Sequence, residues 1–224
     1  MFSLRGLIAL LLLPSAISAA AIPQAVEQAL EMVKADLDGF VLLQFNRTTR
    51  SGQFSGCELQ YKATFRDYRA RGGEVVLLIG AISSLYEKGK VFNLGLKVKA
   101  AELEIATPLI QKPFQPGYAS LSFRSPLDRF KSVEFICDGG GICVGYSDNS
   151  RFDLMKEVME TVLLPGPTIT VATTKGGTDQ RLSLSKLIHK NKQNSDKNKD
   201  ALIDFQGCLT EVLESMMKDV RANN

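Results

Sequence analysis

From Phe54 to Phe65 polar and apolar residues alternate almost without interruption. A stretch with that period is stable only as a strand with one dry and one wet face. Cys57, Leu59, Tyr61, Ala63 and Phe65 share one side; Glu58, Gln60, Lys62, Thr64 and Arg66 share the other. Cys57 therefore belongs to a core. A cysteine near the opposite end of the chain has the same property in a different period. Leu202, Phe205, Leu209, Val212, Leu213 and Met216 recur at helical spacing, and Cys208 sits beside Leu209 on that stripe. A strand and a distant helix thus each present one cysteine to the interior.

The remaining two of the four cysteines, Cys137 and Cys143, flank the flexible turn Asp138-Gly139-Gly140-Gly141-Ile142. Four cysteines allow three pairings, and the expected one is Cys137–Cys143 with Cys57–Cys208. A metal site from Cys137 and Cys143 is disfavoured by their wide spacing and by the lack of a neighbouring histidine. No Cys-x-x-Cys redox motif is present.

Disulfides call for an oxidising compartment, and the N-terminus supplies an address for one. Arg5 precedes an apolar run, Leu7 to Leu13, then Pro14 and the small residues Ser15 to Ala21. This is the pattern of a cleaved signal peptide over residues 1–20, and its apolar part is too short to span a bilayer. No later run reaches spanning length, so the expected mature protein, residues 21–224, is soluble, periplasmic or secreted. Asn46-Arg47-Thr48 is a glycosylation sequon if the source is eukaryotic. The net charge of +3 gives no global drive toward nucleic acid or acidic lipid, so any electrostatic function must be local.

Along the chain, Pro23 to Asp38 reads as a helix whose buried face carries Val26, Ala29, Leu30, Val33 and Leu37, with Gly39 as its stop. Strands are expected at Phe40–Thr48, Phe54–Phe65 and Glu74–Leu85, the last apolar at both parities and so covered on both faces. A fourth strand carries Phe92, Leu94, Leu96 and Val98, then switches parity to Leu103 and Ile105, which suggests a bulge or break at Ala100-Ala101. Pro108–Tyr118 reads as an extended loop anchored by Phe114 and Tyr118. Short strands follow near Ala119–Phe123 and Val133–Cys137. A helix is expected after Ser150, and a hairpin from Thr168–Thr174 and Asp179–Leu184. Lys186–Lys199 reads as a mobile basic loop, and the last helix as Asp200–Val220. The expected architecture is a single α+β domain: an antiparallel β-meander sheet of about six to eight strands, two or three packed helices, and disulfide staples.

The chemistry-bearing residues argue mostly by exclusion. His189, the only histidine, lies in the polar tract, where nothing holds it as a catalytic base. Glu102 with Glu104, and Asp36 with Asp38, are paired carboxylates without a sign of burial. Ser183-Leu184-Ser185-Lys186 holds serine and lysine without the helical Ser-x-x-Lys spacing. The glycine run at 139–141 lacks the lysine and helix start of a phosphate loop. No cofactor and no metal are implied. The feature with functional slant is the set of basic turns. Alternate turns of a meander lie at the same end, which groups Arg47, Arg50, Lys88 and Lys90 at one end and Arg66, Arg69 and Arg71 at the other. Either group suits a phosphate or carboxylate.

The resulting expectation is an exported, non-catalytic protein that binds or modulates another envelope or extracellular component, an anionic one among the candidates. A hydrolase using carboxylates or a Ser/Lys pair, and a structural or stress-related envelope protein without a ligand site, are the alternatives.

Overall fold

The computed structural model describes residues 21–69, 71–85, 93–105, 109–122, 133–137, 142–148, 167–172, 179–190 and 194–222. Helix α1 (Ala21–Leu37) leads into the strands β1 (Val41–Arg50), β2 (Gln53–Asp67), β3 (Glu74–Leu85) and β4 (Asn93–Glu104). Then come β5 (Ile110–Phe114), β6 (Tyr118–Ser122), β7 (Val133–Cys137), β8 (Ile142–Asp148), β9 (Thr168–Ala172) and β10 (Asp179–Ser183). Helices α2 (Leu184–Lys190) and α3 (Ser195–Ala222) follow. The class is α+β. A seven-stranded antiparallel sheet runs β1-β2-β3-β4-β8-β7, with β5 also paired to β4, and a second sheet has the order β10-β9-β6. The helix expected after Ser150 lies outside the described residues, as do Lys88, Lys90 and the glycine run.

The inner face of the large sheet is built from the parity that the alternation of β2 assigns to it. Cys57, Leu59, Tyr61 and Ala63 join Val76, Leu78 and Ile82 of β3 and Leu94, Leu96 and Val98 of β4 in one buried cluster. Helix α3 packs over β1 and β2 and contributes Phe205, Leu209, Val212 and Leu213 to the cluster; the small sheet contributes Leu121, Ile169, Val171 and Leu182. The disulfide Cys57–Cys208 ties β2 to α3 across 151 residues of sequence, with the Cα atoms 6.0 Å apart. Cys143 is also disulfide-bonded, and the residue opposite it in the β7–β8 register is Cys137.

Two glycines allow the strands to close up. A Cβ on Gly56 would lie 1.9 Å from the Ser84 carbonyl oxygen, and one on Gly80 would lie 1.8 Å from that of Lys97. The space above Gly80 is taken by Tyr61, whose hydroxyl donates to the Lys97 carbonyl at 2.8 Å. Burial pushes that phenol well above its usual pKa, so it stays a donor.

The structure corrects four expectations. The parity switch in β4 is not a bulge: its register with β3 runs unbroken from Leu85↔Asn93 to Val75↔Leu103. The buried face changes instead. Up to Ala100 the inner core is served, whereas Leu103 joins Val75 and Leu77 on the opposite, outer face, against Leu37 of α1. The same cover explains β3, which is buried on both faces from Val75 to Leu78 but leaves Ile79 36% exposed. Pro108–Tyr118 is not simply a loop, because β5 pairs with Ala100–Glu104. Pro113 is tolerated there because a strand paired on one side has an N–H position that needs no partner.

The basic tract is mostly helical. Helix α2 takes its first part, and α3 begins at Ser195, not Asp200. The reason is Asn198, which is fully buried within that polar run. Its Nδ2 donates to the Val41 carbonyl at 3.0 Å, and its Oδ1 accepts the Leu43 N–H at 2.8 Å. The side chain thus stands in for a neighbouring strand along the edge of β1. Finally, α1 buries less of its apolar stripe than the spacing implies. Leu37 packs, but Val26 and Val33 are exposed, because only the C-terminal part of the helix reaches the sheet.

Candidate functional site

Of the arginines expected to bind a ligand, Arg47, Arg66 and Arg71 are engaged by side chains of the fold. Arg47 and Arg50 lie at the β1–β2 end, and Arg66, Arg69 and Arg71 at the β2–β3 end. Arg47 forks onto Glu211 of α3, with N–O distances of 3.2 and 2.5 Å, and its guanidinium lies over the Phe54 ring. Arg66 donates to Glu31 of α1 at 2.7 Å and to the Gly73 carbonyl at 2.9 Å, and stacks on Tyr68. Arg71 pairs with Glu102 at 2.6 Å and lies 3.7 Å over the centroid of the Phe114 ring. Arg50 is also engaged. Arg69 is exposed. Arg47, Arg66 and Arg71 thus fasten turns and helices to the sheet.

The candidate catalytic groups are placed in the same plain way. Glu102 and Glu104 are each held in an ion pair, the latter with Lys112 at 2.7 Å. Asp38 accepts the Arg66 N–H at 3.0 Å, while Asp36 is exposed. His189 and Lys186 are exposed on α2, and the hydroxyls of Ser183 at the end of β10 and Ser185 on α2 lie 3.2 Å apart. Among the described residues no cluster of three metal-capable side chains exists.

A concave surface does form, on a part of the molecule that the turns do not touch. Beyond the end of α1, no described element packs on the outer face of the large sheet, which holds a trough of about 390 Å³. The strand registers build it row by row. Leu42 of β1 lies opposite Lys62 of β2, Lys62 opposite Ile79 of β3, Ile79 opposite Lys99 of β4, and Lys99 opposite Ile142 of β8. One row across five strands therefore alternates apolar and cationic side chains. The next row reads Gln44, Gln60, Ala81, Lys97, Val144 by the same registers. Small Ala81, set between Gln60 and Lys97, leaves a dip beside the bulkier Ile79.

Leu42, on the edge strand β1, is 42% exposed. Lys62 and Lys97 are exposed and Lys99 is half-buried, and none of the three makes an ion pair among the described residues. The one carboxylate lining the trough, Glu58, accepts a hydrogen bond from Gln60 at 2.7 Å. Local charge on this face is therefore positive although the chain as a whole is nearly neutral.

Sequence reasoning placed these lysines on the wet parities of β2 and β4 and went no further. Their convergence depends on β3 inserting Ile79 between them, which is a matter of register. No helix among the described residues is long and apolar enough to cross a membrane. Neither a family model, nor a curated protein, nor a solved structure matches this chain, so its functional reading rests on the residues of this face.

Proposed function

We propose that the chain is an exported, non-catalytic binding protein that holds an anionic component of the envelope or extracellular space on the uncovered face of its sheet. The observation that carries this reading is the row in which Lys62 and Lys99 flank Ile79, with Lys97 in the next row. Three ammonium groups without ion-pair partners among the described residues, on an antiparallel sheet and beside exposed apolar side chains, suit capture of an anion. The leader-like N-terminus and the disulfide favour an oxidising, export-side setting. Basic turns remain in this proposal only as supports that hold the sheet and its helices together.

The test compares retention on immobilised dextran sulfate. The triple variant Lys62→Gln/Lys97→Gln/Lys99→Gln should elute at clearly lower salt than the parent. A charge-matched control, Lys186→Gln/Lys197→Gln/Lys199→Gln, should elute close to the parent, since those lysines lie on α2 and α3. Equal shifts in both triples would reduce the effect to net charge and refute the site.

A further inference from the structure

We infer that the ligand of this face is an anionic amphiphile, a phosphate monoester carried on an aliphatic chain. Lys62, Lys97 and Lys99 hold the head group, and the chain runs over Ile79 toward Leu42. The inference rests on the anion-binding reading above and names the class of ligand.

The number and spacing of the cations select the head group. Strands stand about 4.8 Å apart and residues two apart on a strand about 6.8 Å, so the Lys62 and Lys99 backbones are about 10 Å apart and those of Lys97 and Lys99 about 7 Å. Four-carbon stems rising from these points can converge on one group above Ala81. A phosphate monoester carries close to two negative charges at pH 7 and presents three strong acceptor oxygens, one for each ammonium. A carboxylate offers a single charge against three ammonium groups.

The apolar members of the row select the rest of the ligand. A fully polar anion gains nothing from covering Leu42 and Ile79, which are 42% and 36% exposed, whereas an aliphatic chain removes that surface from water. The lysine stems add further apolar wall on either side. A peptide is a poorer occupant. The backbone groups of the inner strands β2, β3 and β4 are committed to their ladders, so a peptide laid across the face would bury its own amides without partners. An aliphatic chain has no such groups.

Calorimetric titration of the full chain with dodecyl phosphate, kept below its micellar concentration, tests the inference. Inorganic phosphate serves as head without tail, and dodecyl maltoside as tail without charge. The expected result is saturable one-to-one binding of dodecyl phosphate, at least tenfold tighter than either comparator. Affinity should fall at least tenfold both in the Lys62/Lys97/Lys99→Gln triple and in Leu42→Thr/Ile79→Thr. The Lys186/Lys197/Lys199→Gln control should bind like the parent, and unchanged urea midpoints should establish that each variant is folded.

Equally tight binding of inorganic phosphate would overturn the amphiphile and leave the anion site standing. Equally tight binding of dodecyl maltoside would overturn both. Failure of dodecyl phosphate to bind, with lysine-dependent retention on dextran sulfate intact, would overturn the amphiphile in favour of an extended polyanion.

Discussion

Asn198 shows how much a single polar side chain decides in this fold. It is wholly buried and satisfies one donor and one acceptor on the edge of β1, at Leu43 and Val41. Asn198→Ala leaves both backbone groups dry and unpaired, at about 1–3 kcal/mol each. The expected loss is about 2–4 kcal/mol, read as a lower urea midpoint with an unchanged slope. Nothing local announces this role, because Asn198 stands in a run of lysines and other polar residues that resembles a solvated loop. Gly80 is similar. In the sequence it merely interrupts an apolar run; in the fold it leaves room for Tyr61 to reach the Lys97 carbonyl. Cys57 and Cys208 were legible for the opposite reason, since each sits on a periodic stripe whose buried side can be read directly.

At the scale of elements, α1 is held more by charge than by its apolar face. Lys34 is buried and donates to Glu74 at 2.7 Å. Glu31 bridges Arg66 at 2.7 Å and Lys34 at 3.4 Å. The side chain of Thr64 donates to the Leu37 carbonyl, closing the joint. The Arg66 hydrogen bond holds the Glu31 carboxyl below its usual 4.5. Ionised Glu31 therefore favours the folded state above that value, and the contribution fades as pH falls through and below it. Lys34 is shifted the other way: Glu74 holds its ammonium above 10.5 against the pull of burial. That contribution is complete below pH 10.5 and is lost only as pH rises beyond it. Hydrogen exchange corrected for intrinsic rates should show α1 losing protection relative to β2 and β3 between about pH 5 and pH 3. Arg66→Gln should flatten that dependence. The helix itself was plain from its spacing and its glycine stop. Its shallow seating was not, because periodicity identifies an apolar stripe without saying how far the partner surface extends.

The whole molecule is closed by the tie between β2 and α3, which spans most of the described chain. On the loop-entropy model a link of this length contributes about 5 kcal/mol, and native strain or residual structure lowers that figure. The double variant Cys57→Ala/Cys208→Ala should lose about 3–5 kcal/mol in urea unfolding, with the helix–sheet core otherwise intact. The α+β class, the meander and this crosslink follow from the sequence by itself. Periods of two and of 3.6, with turn residues between them, specify which side of each element must be dry. The uncovered face is a different kind of property. Lys62, Ile79 and Lys99 are scattered in sequence and become neighbours only through the pairing of β2, β3 and β4. Likewise, Arg47, Arg66 and Arg71, which promised a binding site in the turns, are partnered once α3, α1 and β4 arrive beside them. Local pattern determines which residues seek water and which avoid it. Only the tertiary structure decides which charges neutralise one another and which are left together on one open surface, because that depends on register and on where each helix ends.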